Sequence, residues 1–437
     1  MKYNLLLCKI EKINLLSIDK LISFKAILNS LSKSLEEIRL SKLPLEGILV
    51  IDFSTIIAAP LIGTLIADFG AEVIKVELPK VGDVTRGGGS SSGKRSPFWL
   101  TINRNKKTIT LDLHTNEGQE IARKLCAKAD VVIFNFRPGV IENWNLGPDT
   151  LHKINPDLII GLVSGYGQTG PYKNKGGYDR TVSAFSGLTY TSGYPEHPPV
   201  RSGFPLIDYL TGYLGAFAVM MALYNRDVNR NGGEVIDLTL TESAFRTSGG
   251  ALSMYSKDGT IYERAGNRIS FVVPAENFET KDGRIVAINA NSIRLWERLA
   301  GEMGRKDLLN DNRFNSYSNR IKNQDELYDI ISEWVKKYTT VEIMQLLEKV
   351  GVPCERVNSI ADLAEDPHMR QREAIIEYDD YEYGKILVPG IVPKLKNFPG
   401  RIKFLGAKLG EHNQEIFQNL LGLSSEEIEK LEEKDVI

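Results

Sequence analysis

Gly47-Ile48-Leu49-Val50-Ile51-Asp52-Phe53 is an apolar run rich in β-branched residues, the pattern of a strand buried on both faces of a parallel sheet. Downstream, Ala58 to Phe69 predicts a helix, with Pro60 near its first turn and Gly70 where a C′ glycine belongs. Glu72 to Glu77 predicts the next strand. Thr108 to Leu113 (strand), Gly118 to Ala129 (helix), Val131 to Phe136 (strand) and Leu158 to Ser164 (strand) continue the cycle. This alternation predicts an α/β fold: a large Rossmann-like parallel sheet with helices on both faces. Upstream, residues 1–44 form an N-terminal extension whose apolar stretches are broken by Lys9, Lys12, Asp19, Lys20 and Lys25, unlike the unbroken h-region of a signal peptide.

The texture changes near Tyr255. Phe278 to Ala290 predicts a hairpin turned at Lys281-Asp282-Gly283, followed by helices at Ser292 to Met303, Gln324 to Tyr338 and Thr340 to Val350. These place a smaller central α+β domain at 255–352, after a first large part at 45–254. The remainder, 353–437, combines short strands with a final helix, Ser424 to Glu433.

At 437 residues the chain can bury a large core, and a net charge of −2 gives no field for nucleic acid. Cys8, Cys126 and Cys354 form no Cys-x-x-Cys, and the five histidines are scattered, so the expectation is a cytoplasmic protein without disulfide framework or metal. The apolar run Tyr209 to Tyr224 falls short of the ~20 residues of a membrane crossing and reads as a core helix, so no membrane is expected.

Two motifs mislead. Gly88-Gly-Ser-Ser-Ser-Gly93-Lys94 matches most of a P-loop, but Arg95 stands where a magnesium-binding Ser/Thr is needed. Glu77 ends the second strand as in dinucleotide folds, yet the first turn, Ser54 to Ala59, has no glycine to admit a pyrophosphate.

Three polar clusters fall at strand ends or beside them: Asn103-Arg104-Asn105-Lys106-Lys107, Asn135-Phe136-Arg137-Pro138-Gly139 and Lys173-Asn174-Lys175-Gly176-Gly177-Tyr178. Each alone suits a solvated loop. Together they suit a long ligand with phosphates at one end, such as coenzyme A. Asp208 opens the apolar run at a helix N-terminus, where dipole and free N–H groups favour the charged carboxylate. It reads either as a simple N-cap or as a nucleophile toward an acyl group.

Several motifs resemble the family III CoA-transferases and their relatives, the α-methylacyl-CoA racemases. They are Leu45-Glu46-Gly47 to Phe53, Ala67-Asp-Phe-Gly-Ala-Glu-Val-Ile-Lys-Val-Glu77, Asn135 to Gly139, Ser164-Gly-Tyr-Gly-Gln-Thr-Gly-Pro171, Arg264-Ala-Gly-Asn267 and Leu409-Gly-Glu-His412. The resemblance implies a large domain built from both chain ends and an interlocked, ring-like obligate homodimer. It implies Asp208 as nucleophile, CoA held by Ala58, Asn103, Arg104, Asn105, Lys106, Asn135, Phe136, Arg137 and Lys175, and Tyr178 in the acyl pocket. The implied reaction moves CoA from an acyl-CoA to a small carboxylic acid through an aspartyl-CoA thioester, with CoA as substrate and no permanent cofactor. Racemases carry His where this chain has Tyr178, and a phenol with a pKa near 10 is poorly suited to α-proton exchange. Ile57 replaces the Gln of formyl-CoA transferases, and Gly266-Asn267 leads into Arg268-Ile-Ser rather than a glycine run. Both departures point to a larger or more apolar acid than formate or oxalate. The alternatives are an acyl-CoA racemase and a CoA-binding protein without turnover.

Overall fold

The computed structural model describes residues 43–87, 95–269 and 271–437. Six strands form one all-parallel sheet: β1 Leu49–Asp52, β2 Glu72–Glu77, β3 Lys106–Thr110, β4 Val131–Phe134, β5 Ile159–Ser164 and β6 Glu234–Thr239. Their order is β3-β2-β1-β4-β5-β6. The winding therefore reverses between β1 and β4, and the carboxyl ends of those strands open a crevice where such sheets bind ligands.

The pleat sorts alternate residues into two cores. Ile51, Ile74, Val132, Phe134 and Ile160 face one layer with helix α2 (Asn116–Lys128). Val50, Val73, Val131, Ile133 and Ile159 face the other, against α1 (Ala58–Ala67) and α3 (Leu206–Asp227). Two buried faces explain why β1, β4 and β5 read as unbroken apolar runs. β6 escapes sequence reading because Glu234 and Asp237 interrupt it, as a half-exposed edge strand permits. β3 starts two residues earlier than expected because its lysines are paired: Lys106 with Asp52, Lys107 with Glu72 and Glu415.

Helix α3 is longer than the apolar run suggested. At 22 residues, with mean hydropathy 1.6 over its most apolar window, it has the length of a membrane crossing. It packs on α1 through Gly212 and Gly215: a Cβ at 212 would lie 2.7 Å from Leu61 Cδ2, and at 215, 2.3 Å from Ile62 Cδ1. Its other face exposes Tyr213, Phe217, Met220, Met221 and Tyr224.

A separate core forms around Trp296, Leu299, Phe314, Ile331 and Leu347, on α4 (Ile293–Glu302), α5 (Gln324–Val335), α6 (Thr340–Val350) and the loops between them. These pack on the expected hairpin, β7 (Ala275–Glu279) and β8 (Ile285–Asn289), and β8 also pairs antiparallel with β9 (Cys354–Arg356). The small sheet thus draws a strand from just beyond residue 352. After a second hairpin, β10 (Ile375–Asp380) and β11 (Gly384–Pro389), the chain ends in α7 (Ser425–Glu433). Phe417, Ile428, Val436 and Ile437 enter the first core, and Asp112 N–H donates to the Val436 carbonyl (2.8 Å).

Residues 1–42 and the P-loop-like Gly88 to Lys94 lie outside the described residues. Arg95, just after that stretch, pairs with Asp380 (2.7 Å) and Glu382 (2.8 Å).

Candidate active site

A cavity of about 320 Å³ opens at the switch point. Thr55 to Ala58 after β1, Asn135 to Pro138 after β4 and Ser164-Gly165 at the end of β5 line it, with Lys173, Lys175 to Tyr178 and Asp208. Gly165 and Gly177 allow two loops to meet: a Cβ on Gly165 would stand 2.7 Å from Gly177 Cα. That contact brings the Lys173–Tyr178 loop over the end of β5.

The β1–α1 turn is strained. Ile56 has φ +74°, a left-handed conformation that costs a β-branched residue roughly 1–3 kcal/mol. The turn is held from below. Ile56 N–H donates to Asp83 Oδ2 (3.1 Å), Thr55 N–H to Asn135 Oδ1 (2.9 Å), and Asn135 Nδ2 to the Thr55 carbonyl (2.7 Å). Lys75, fully buried, donates to the Ser54 carbonyl and pairs with Asp83 (3.3 Å). Burial would lower the Lys75 ammonium, but Asp52 and Asp83 outweigh it and raise its pKa. Burial likewise pushes Asp83 up, and Lys75 and the Thr85 and Ile56 N–H groups bring it below the usual carboxylate range. Above this clamp, the N–H groups of Ala58 and Ala59 open α1 and precede its intrahelical ladder.

Asp208 is the third residue of α3 and lines the cavity. Its side chain makes no N-cap bond, and among the described residues its carboxylate has no hydrogen-bond partner. The expectation that a helix N-terminus favours its charged form is corrected. Burial, with the nearby Asp179 charge, raises it to about 7, because its oxygens receive none of the helix N–H groups.

The three cationic clusters separate. Arg137, Lys173 and Lys175 line the cavity and form no ion pair among the described residues. Lys175 Nζ stands 5.3 Å from the ring centroids of Tyr166 and Tyr172 and 5.7 Å from that of Phe185. Phe136 packs edge-on against Trp144 (4.9 Å). Ala58, Asn135, Phe136, Arg137, Lys175, Tyr178 and Asp208 are thus brought together.

Asn103, Arg104, Asn105 and Lys106 are not, and their expected place beside the ligand is corrected. They lie at the amino end of β3, where the polar groups of Arg104, Asn105 and Lys106 are spent internally and Asn103 Nδ2 is buried without a partner among the described residues. Lys106 Nζ donates to Asp52 Oδ2 (2.9 Å), the Pro60 carbonyl (2.6 Å) and Asn103 Oδ1 (2.9 Å). Burial pulls its pKa down to about 8 despite Asp52. Arg104 makes a bidentate pair with Asp68 (2.9 and 2.5 Å) and donates to the Pro389 carbonyl (2.6 Å). Asn105, at φ +62°, donates to Asp68 and to the Arg401 carbonyl.

Sequence reading missed the Lys75–Asp83 clamp. Its signal was a lysine inside the otherwise apolar Val73 to Val76, since a charge in a doubly buried strand requires a buried partner.

A carboxylate and three cations that line one switch-point cavity and form no ion pair among the described residues suit an enzyme acting on a long anionic substrate. Similarity to known proteins narrows this class. The chain belongs to CoA-transferase family III, whose model matches residues 45–413. It is 39% identical over 396 residues to succinyl-CoA–D-citramalate CoA-transferase of Chloroflexus aurantiacus, covering 90% of this chain and 98% of that protein. It is 40% identical over 399 residues to the beta subunit of succinyl-CoA–L-malate CoA-transferase of the same organism, with the same coverage. The crystal structure of a CAIB/BAIF family protein from Brucella suis superposes with a TM-score of 0.78 at 31% identity, covering 87% of this chain and 100% of that one.

Proposed function

We propose that this CoA-transferase takes CoA from a dicarboxylic acyl-CoA of the succinyl-CoA kind and gives it to a free dicarboxylic or hydroxydicarboxylic acid through an aspartyl-CoA thioester on Asp208. The observation that carries this reading is the Asp208 carboxylate, exposed to the cavity and bonded to no described residue. The names of the two Chloroflexus relatives support the class of acid.

A carboxylate oxygen of Asp208 attacks the thioester carbonyl. The C–S bond breaks, CoA leaves as thiolate, and a mixed aspartyl-acyl anhydride remains. The thiolate attacks the aspartyl carbonyl of that anhydride, releasing the donor acid as carboxylate and leaving CoA as a thioester on Asp208. The acceptor carboxylate then attacks this thioester, and the same steps run backward. Acyl activation is conserved at each step, so no ATP is needed. A carboxylate with few hydrogen bonds and a pKa near neutrality keeps more nucleophilicity than a solvated one. The Ala58 and Ala59 N–H groups stabilise the tetrahedral oxyanions. Arg137, Lys173 and Lys175 take the phosphates of CoA, Asn135 and Phe136 flank the pantetheine arm, and Tyr178 borders the acyl group.

The apolar stripe of α3 supports an obligate homodimer in which that face is covered, with the large domain comprising 45–254 and the chain after β9 around a small one that runs from 255 through β9. A cytoplasmic location accords with this substrate chemistry.

The test is incubation with succinyl-CoA alone, followed by mass spectrometry of the peptide carrying Asp208. The peptide is expected to gain the mass of CoA less water, and Asp208→Ala to abolish both adduct and transfer. Transfer persisting in Asp208→Ala overturns the reading.

A further inference from the structure

Among the described residues seven helices carry a carboxylate at their third position; Glu142 and Glu242 are exposed to solvent, and Glu326 pairs with Arg313. In three others it is used as a cap. Glu342 in α6, Glu427 in α7 and Asp362 in Ile360–Ala364 each accept the N–H of their own N-cap residue, Thr339 (2.8 Å), Ser424 (2.8 Å) and Ser359 (2.9 Å). Reciprocal boxes of this kind hold all three carboxylates below their usual range. Asp208 occupies the same position in α3, half-buried, and its carboxylate is bonded to no described residue.

Two features account for the difference. The N-cap of α3 is Pro205, which has no N–H for the third residue to reach back to. The free donors of the first turn are taken by another part of the chain: Ile207 N–H (2.8 Å) and Asp208 N–H (3.4 Å) both donate to Asp179 Oδ2. Asp179 itself opens the short helix Asp179–Phe185, directly after the cavity-lining Tyr178.

The geometry points to Asp179 as a positioning residue. It caps the nucleophile's helix in place of Asp208 and, with Pro205, leaves the Asp208 oxygens free for the acyl carbon. The inference rests on Asp208 being the nucleophile. It adds that the loop bearing Tyr178 and the helix bearing Asp208 are registered by one carboxylate, so acyl pocket and attacking group move together. The groups facing Asp208 are Asp179 and Tyr178 from that loop, Tyr209 on its own helix, and Arg137, Lys173 and Lys175 across the cavity; Ile57 and Leu61, from the α1 side, bring no charge.

Asp179→Ala removes the acceptor, and Asp179→Asn keeps it as an amide oxygen. In the full-length protein with succinyl-CoA and an acceptor acid, Asp179→Ala is expected to lower kcat about 10- to 100-fold, with KM for acyl-CoA within about two-fold. Asp179→Asn is expected to restore kcat to within about three-fold. Equal losses in both variants, or an unchanged kcat in Asp179→Ala, overturn the inference. Pro205→Ala, which supplies the missing N–H without touching Asp179, covers the case in which Asp179→Ala fails to fold. It is expected to lower kcat and to shift the acid limb of the pH–rate profile downward, because Asp208 gains a hydrogen bond to its ionised form. An unchanged profile in Pro205→Ala overturns the inference. Normal turnover in Asp179→Ala with the Asp208 adduct still forming removes only the role of Asp179. Transfer surviving Asp208→Ala removes the mechanism beneath it.

Discussion

Two basic clusters in this chain look alike in sequence and do opposite work. Asn103 to Lys106 and Asn135 to Arg137 each place amides and cations within a few residues of a sheet strand. The first leads into β3, at the amino end of the sheet, and its cations are consumed by Asp52, Asp68 and backbone carbonyls. The second follows β4, at the carboxyl end, and lines the cavity with its guanidinium unpaired among the described residues. A cation is available to a ligand only if the fold has not already matched it, and the end of the strand on which it sits largely decides that. The same contrast separates two aspartates: Asp52, ringed by Lys106, Lys75 and Ser54, and Asp208, bonded to no described residue.

The contrast can be broken most sharply at Lys106. Lys106→Met leaves Asp52 buried without its main partner, so equilibrium unfolding should show a loss of about 3–5 kcal/mol. Arg137→Ala should leave stability within about 0.5 kcal/mol. A Lys106→Met protein of normal stability would mean that the buried pair is not the anchor described.

Asp208→Asn should move stability the other way. The folded pKa of Asp208, about 7, stands above its ordinary 3.8, so the neutral acid favours the fold. That contribution is full below pH ~4 and is lost as pH rises through 7. The amide should therefore stabilise by about 1–3 kcal/mol at pH 8, the range discounted for partial exposure, and by almost nothing near pH 4. Denaturant titrations at the two pH values check it. Asp52→Asn should destabilise, reversing the sign.

Binding gives the next effect. Arg137→Ala and Lys175→Ala should each raise KM for acyl-CoA about 10-fold, roughly 1.4 kcal/mol, with little change in kcat at saturation. The last effect is kinetic. In the free enzyme, kcat/KM should fall about ten-fold per pH unit below pH 7 as Asp208 takes up its proton.

Much of this was legible in the residues. β2 and α6 appear at their expected bounds, and β1, β4 and β5 within two residues, because the apolar runs of doubly buried strands and the 3.6-residue period of a helix survive without tertiary context. Asp208 was legible through its place between an irregular stretch and an apolar run. Its protonation was not, because that depends first on how the fold buries the carboxyl and then on Asp179, 29 residues away in the chain but 3.4 Å from the Asp208 nitrogen. The fate of Asn103 to Lys106 was hidden for the same reason: Asp52, Asp68, Pro389 and Arg401, which absorb them, lie far off in sequence. The left-handed Ile56 had no local signal, since an isoleucine there is what local preference argues against.

That twisted isoleucine bears on a hazard particular to exchange reactions. In the proposed cycle one acid departs before another arrives, and in the interval water is the rival acceptor for the parked thioester. A pocket that tightened only around its guest would slacken at that moment and leak by hydrolysis. Here the wall beside the reacting carbonyl is braced by ions beneath the floor, Lys75 and Asp83, rather than by whatever occupies the chamber. Those bonds are made within the fold and none of them needs an occupant, the arrangement that a waiting thioester requires.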